Sequence, residues 1–267
     1  MIKVEHLYKQ FGGVHAVEDA TLAIEDSSIT GLIGPNGAGK TTLFNIIAGL
    51  FPPTSGRVYL DGEDVTGMPP FELFAKGLLR TFQIAHEFST LSVVENLMMV
   101  PPNQMGETIA NAWFRRGKVK QQEEEVRAKA EEVIQFLNLT HLMHEKAGNL
   151  SGGQKKLLEL GRTMMTDAKI VLLDEVGAGV NRTLLAEIGD AILRLNKERG
   201  YTFCMIEHDM DFIGRMCDPV IVMAEGTVLA EGTAEDIKNN EEVIEAYLGT
   251  GLKNKVVKDH HVPDGLE

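Results

Sequence analysis

The sequence predicts an α/β fold with a mainly parallel core sheet, an antiparallel β subdomain at the N-terminus and an inserted helical subdomain. Three observations predict it. Aliphatic runs of strand length at 29–33, 170–173, 202–206 and 220–223 alternate with helix-length segments, the pattern of parallel strands joined by crossovers. A glycine-rich loop joins the first of these runs to a helical run. Near Gln83 the texture changes, and residues 84–160 read as helices inserted into the α/β core.

In chain order, Ile2-Lys3-Val4-Glu5-His6-Leu7-Tyr8 alternates in polarity and reads as a strand. Gly12-Gly13 turns the chain, and 14–24 reads as further strand. Asp26-Ser27-Ser28 leads into the buried run 29–33, followed by Gly34-Pro35-Asn36-Gly37-Ala38-Gly39-Lys40-Thr41, then Thr42 and a helical run, 43–50. Strand, glycine loop and helix is the context in which G-x-x-x-x-G-K-[ST] makes a phosphate cradle. The glycines let successive backbone N–H groups converge, and the helix adds its positive N-terminal end. In such a cradle Lys40 reaches the β- and γ-phosphates and the Thr41 hydroxyl ligates Mg²⁺. In a chain of this length the motif arises by chance roughly once in a hundred. Pro52-Pro53-Thr54-Ser55-Gly56 then breaks the chain, and 57–60 with a turn at Asp61-Gly62 and Val65 suggests a hairpin.

Within the helical insert a loop is expected around Pro101-Pro102 and Gly106. Val119, Val126, Ala130, Val133 and Leu137 share one helical face, and Glu123-Glu124-Glu125 and Glu131-Glu132 lie mostly off it, as a solvated surface. Leu150-Ser151-Gly152-Gly153-Gln154 opens a helix over 155–166, presenting N–H groups and a hydroxyl to an anion; its plainer reading is an N-cap. Two phosphate-binding helix starts in one chain mean either two anions or a second loop that serves another copy's nucleotide. Asp174 follows four aliphatic residues, as a carboxylate at a strand end should when it holds Mg²⁺ through water, and Glu175 is placed to polarise an attacking water. Strand alternation is expected to separate these two roles. His260-His261 and the segment 251–267 read as a flexible tail.

The bulk numbers narrow the classes. A chain of 267 residues with 43% hydrophobic and 24% charged residues buries an ordinary core. Its net charge of −13 argues against nucleic-acid binding and against docking on anionic lipid. Cys204 and Cys217 give no disulfide framework or zinc spacing, and Cys204 reads as a small core residue. No apolar run of about eighteen residues and no N-terminal signal appears, so a cytosolic chain is expected unless a partner carries it to a membrane.

These motifs converge on a family. Gly34 to Thr41, Gln83, Leu150 to Gln154, the run ending in Asp174-Glu175, and His208 occur in the order and approximate spacing of ABC-transporter ATPase subunits, which the chain resembles from Ile2 to about Gly249. The resemblance implies a P-loop ABC ATPase domain over 1–250. It implies a head-to-tail dimer in which the loop of one subunit faces Ser151-Gly152-Gly153 of the other across two ATP molecules. It also assigns roles: Gln83 touches Mg²⁺ and reports on the membrane partner, His208 contacts the γ-phosphate, Phe11 stacks on adenine, and Lys40, Glu175 and His208 are catalytic. Arg80-Thr81-Phe82-Gln83, Glu95-Asn96-Leu97, the insert around Trp113-Phe114, and 235–237 through Tyr247-Leu248-Gly249 resemble the ATP-binding subunits of branched-chain amino acid importers. Urea importers and the lipopolysaccharide-export ATPase share much of this pattern. The expected partners are a second ATPase subunit, membrane permease subunits and, indirectly, an extracytoplasmic substrate-binding protein, with the chain on the cytoplasmic face of the membrane. Two departures concern loop geometry: Val176 stands where the family has proline, and Arg182 follows Asn181 where a proline is common.

Other classes fit less well. A GTPase needs Asn-Lys-x-Asp, and Asn196-Lys197-Glu198-Arg199 lacks the aspartate. A small-molecule kinase leaves Leu150 to Gln154 unexplained, and DNA-repair or translation relatives typically pair two cassettes in one chain. A module that binds nucleotide without hydrolysis is disfavoured by Lys40, Asp174, Glu175 and His208 together.

Overall fold

The computed structural model describes residues 1–81, 87–166 and 168–258, which divide into two compact units: Met1–Leu73 with the chain from Thr202, and Phe74–Tyr201. The first unit opens with β1 (Ile2–Phe11) and β2 (Val14–Ile24), an antiparallel pair. A register shift between Val4 and Leu7 puts Leu7 rather than His6 inside with Ile2 and Val4. β3 (Ile29–Ile33) is buried throughout and leads through the glycine loop into α1 (Lys40–Ile47), which buries Leu43, Phe44, Ile46 and Ile47. β4 (Ser55–Leu60) and β5 (Glu63–Asp64) complete an antiparallel sheet of order β2-β1-β4-β5. α2 (Pro70–Ala75) leads into the second unit.

The second unit contains β6 (Leu78–Arg80), α3 (Val93–Met98), α4 (Ile109–Phe114), α5 (Arg116–Phe136), α6 (Gly152–Met164), β7 (Ile170–Asp174) and α7 (Arg182–Arg199). β6 and β7 run parallel, with Arg80 opposite Leu172. The face read from periodicity is the packed one: Ala130, Val133 and Leu137 are buried. Gly161 of α6 meets it so closely that a Cβ there would lie 2.8 Å from Leu137 Cδ1 and 3.1 Å from Val133 Cγ1. Glu123, Glu124 and Glu125 are exposed, and Lys120–Glu124 and Arg127–Glu131 pair along the helix surface. Gly106 lies in a short 3-10 turn, Met105–Glu107.

The chain then returns to the first unit with β8 (Thr202–Ile206), α8 (Met210–Met216), β9 (Val220–Ala224), β10 (Thr227–Gly232), α9 (Ala234–Asn239) and α10 (Glu241–Lys258). β3 pairs parallel with both β8 and β9, and β10 adds an antiparallel strand beyond β9, which the sequence reading does not anticipate. The turn between β9 and β10 uses Glu225 and Gly226, both at positive φ, as a two-residue hairpin loop requires. Gly226 also ties two layers together: its N–H donates to the Ala38 carbonyl at 3.2 Å, and its carbonyl accepts from the Glu18 N–H at 2.8 Å. Cys204 and Cys217 are both buried, and burial pushes the Cys217 thiol up to about 12. α10 continues past 251 to Lys258, into the segment read as a tail. His260-His261 lie outside the described residues. Among the described residues no helix is long and apolar enough to cross a membrane.

One buried side chain organises the turn before α3. Asn96 is fully buried; its Oδ1 accepts from the Phe88 N–H at 2.8 Å, and its Nδ2 donates to the carbonyls of Phe88, Leu91 and Ser92. Replacing it strands several buried backbone groups at once. Asn96→Ala is expected to lower stability by roughly 3 kcal/mol in urea unfolding, an effect that a neutral result would contradict.

Candidate functional site

In the first unit the chain leaves β3 at Ile33 and enters a loop shaped by three glycines at positive φ, 146° at Gly34, 83° at Gly37 and 96° at Gly39. A Cβ on Gly34 would sit 2.0 Å from the Met223 carbonyl oxygen, and one on Gly39 would sit 2.4 Å from that of Ala16. Both contacts are with backbone, so neither position admits a side chain without moving the loop. Gly39 caps α1 without a side-chain hydrogen bond, leaving the first N–H groups of the helix to a ligand. Lys40 is only 6% exposed, and its Nζ donates to the carbonyls of Gly34 at 2.7 Å and Pro35 at 3.0 Å. Asn36, Gly37 and Thr41 are exposed, Pro35 and Thr42 half-buried, Ala38 buried. The ammonium, the free helix N-terminus and the exposed hydroxyl together suit a polyphosphate and its counter-ion.

Two further predicted residues belong to this unit. β8 lies parallel to β3 with Leu32 opposite Ile206, so Glu207 and His208 follow at the same sheet edge as Ile33 and Gly34. His208 is exposed, and Asp209 after it caps α8, accepting from the N–H groups of Asp211 and Phe212. Phe11 is half-exposed, meets Phe51 edge to face at 5.3 Å between ring centroids, and has the Lys9 ammonium 5.0 Å from its ring centre.

In the second unit Ser151 is the N-cap of α6 with a reciprocal capping box: its hydroxyl accepts from the Gln154 N–H, and the Gln154 side chain accepts from the Ser151 N–H at 2.9 Å. The helix thus starts at Gly152, earlier than the sequence reading places it. Gly152 is exposed; Gly153 is buried, and a Cβ there would lie 1.9 Å from Leu184 Cδ2. Asn181 caps α7 by accepting from the Leu184 N–H at 2.9 Å. Turn bonds from Ala178 to Glu175 and from Val180 to Gly177 hold the loop that lacks both prolines. Val176 is buried.

Asp174 ends β7, and Glu175 already lies outside the strand with φ of 50°. The separation of the two carboxylates is therefore made by a left-handed residue, not by strand alternation as the sequence suggests. A glutamate in that region is strained, a feature that accumulates at functional sites. Asp174 Oδ2 accepts from Arg80 at 2.7 Å, and both side chains are nearly buried. Sequence reasoning missed this partner, although a lone arginine ending a short apolar strand was the available signal. Gln83 lies outside the described residues. Thr41 and Asp174 are both hard oxygen donors, which fit Mg²⁺.

A strand–glycine loop–helix cradle holding a buried lysine, on an α/β scaffold with a mainly parallel sheet, defines a P-loop nucleotide-binding protein. Comparison with known families extends this: the ABC transporter model matches residues 17–178, and the branched-chain amino acid ATP-binding cassette transporter model matches residues 227–253. The chain belongs to the ABC transporter family and is its ATP-binding subunit, a family whose members hydrolyse ATP to drive transport. It is 41% identical over 93% of its length, and 95% of the relative's, to the probable branched-chain amino acid transport ATP-binding protein LivG of Archaeoglobus fulgidus. Its fold matches the crystal structure of the ADP conformation of MJ1267, an ATP-binding cassette of an ABC transporter (TM-score 0.79, 36% identity, 93% of this chain and 98% of that one). It also matches the dimeric structure of MJ0796, a bacterial ABC transporter cassette (TM-score 0.70, 25% identity, 88% and 99%).

The Arg80–Asp174 pair makes a separable prediction. Arg80→Met leaves a buried carboxylate without its cation and should cost about 3–5 kcal/mol. The double variant Arg80→Met/Asp174→Leu should recover most of that loss in denaturant unfolding, whereas additive losses would show that the pair is not the interaction at stake.

Proposed function

We propose that this chain powers uptake of branched-chain or related amino acids through a membrane permease, working as a dimer on the cytoplasmic face with an extracytoplasmic binding protein delivering the cargo. The observation that carries the cargo is the match at 227–253, beyond the generic cassette, to the branched-chain transporter model. ATP binds at Gly34 to Thr42, with Phe11 against the adenine. Lys40 exchanges its two carbonyl partners for phosphate oxygens, and the loop N–H groups hold the remaining charge. Thr41, Gln83 and Asp174 would hold Mg²⁺, which would supply counter-charge for the polyphosphate.

Ser151, Gly152, Gly153 and Gln154 of a second copy close over the γ-phosphate, a reading supported by the exposed Ser151-Gly152 edge and by the dimeric relative. Glu175 takes a proton from water as its oxygen attacks the γ-phosphorus. The bond to the ADP oxygen breaks, and His208 steadies the departing phosphate. One ligand contacting both copies favours the closed state, and hydrolysis removes that preference, so closure and opening can drive the permease. Gln83 carries the change toward the permease.

Glu175→Gln is expected to accumulate an ATP-bound dimer in light scattering; a monomer at saturating ATP would remove Glu175 from the role of base. Lys40→Ala is expected to lose nucleotide binding by calorimetry, and unchanged binding would remove Lys40 from the site. Co-purification with the permease in vesicles should give ATP turnover stimulated by a leucine-loaded binding protein. Stimulation by a urea-loaded one instead would reassign the cargo.

A further inference from the structure

The helical insert carries a stretch that the nucleotide and cargo readings leave without a role. α4 is apolar and open to solvent: Ile109 is 82% exposed, Trp113 70% and Phe114 84%. Single exposed apolar side chains are ordinary, but three large ones within six residues make a patch. The turn before α4 is fixed to α5, so the patch is held in place. Gln122 Oε1 accepts from the Met105 N–H at 2.6 Å, and its Nε2 donates to the Asn103 carbonyl at 3.3 Å. A Cβ on Gly106 would sit 3.4 Å from Val119 Cγ1 of α5.

Directly after the patch come Arg115, Arg116 and Lys118, all exposed, and among the described residues none of the three pairs with a carboxylate. Arg116 and Lys118 occupy the first turn of α5, a 21-residue helix whose N-terminal end disfavours cations. Helix stability therefore does not account for them. The net charge of −13 argues against anionic lipid for the chain as a whole, yet residues 108–122 hold four cations and no carboxylate. At physiological ionic strength exposed charges are screened beyond about 8 Å, so the local sign decides. A protein partner covering this surface would have to set a carboxylate against each buried cation. A bilayer meets both halves at once, with phosphates for the cations and the acyl boundary for the indole and phenyl rings.

We propose that α4 and the start of α5 form an interfacial anchor on the anionic surface of a phospholipid bilayer. Ile109, Trp113 and Phe114 enter the boundary between headgroups and acyl chains, and Arg115, Arg116 and Lys118 lie among the phosphates. The anchor is a lipid contact additional to any permease contact, and it does not depend on the nucleotide reading.

Trp113 is the only tryptophan in the chain, so its fluorescence reports on this surface alone. The full-length chain is mixed with phosphatidylcholine vesicles containing about 30% phosphatidylglycerol, without permease. It should sediment with them, and the Trp113 emission should shift to the blue. Arg115→Gln/Arg116→Gln/Lys118→Gln should weaken partitioning on the order of a hundred-fold, about five-fold per charge. Ile109→Ser/Phe114→Ser, which keeps the reporter, should weaken it about ten-fold. Both variants should hold the thermal midpoint within about 2 °C, because every altered side chain is exposed. No partitioning, equal partitioning onto phosphatidylcholine alone, or partitioning with unshifted emission overturns the proposal. A shift seen only with permease reconstituted in the vesicles also overturns it, since the surface would then be a protein contact.

Discussion

An ammonium group at 6% exposure persists only where oxygens replace its water, and the phosphate loop supplies them from its own backbone. Desolvating such an ion costs on the order of several kcal/mol, so the two carbonyls on Lys40 are a condition of the fold. They can approach only because Gly34 lies flat against the Met223 carbonyl and Gly39 against that of Ala16, where no side chain fits. The loop is consequently assembled around a positive charge before any ligand arrives. A phosphate entering it meets an ammonium already dehydrated and a helix end already pointing inward, which is preorganisation in the sense that reduces reorganisation on binding.

The second unit solves the opposite problem. There the nearly buried group is a carboxylate, Asp174, and the compensating cation is Arg80 from the adjacent parallel strand. The residue after it adopts a left-handed conformation that glutamate takes at a cost, which places two acidic groups in succession with different backbone settings. Charge compensation and local strain thus occur at one strand end, where an α/β sheet customarily places its chemistry.

Much of this was legible in the sequence because the signals were local. The aliphatic runs at 29–33, 170–173 and 202–206 fall on strands, and the helical face of Ala130, Val133 and Leu137 is the packed face. The Gly34 to Thr41 motif needed only its flanks to be read. Features that depend on distant partners were not legible. Arg80 and Asp174 are 94 positions apart, and the lone arginine at a strand end hints at a buried partner without naming it. Glu175 looks like an alternating strand residue until its φ is known. β10 hides behind a Glu-Gly turn, a weaker hairpin signal than Asn-Gly, and its residues are only half-buried, so no strong alternation marks it.

Gly226 links the phosphate loop to the N-terminal sheet through one residue, donating to Ala38 and accepting from Glu18. The two groups lie on successive peptide planes that meet at the Gly226 Cα, so the joint between loop and sheet is a hinge with two adjustable dihedrals rather than a solid strut. A residue without a side chain therefore serves as the common seat of two layers, and any substituent there would crowd the Val17–Glu18 backbone that it holds.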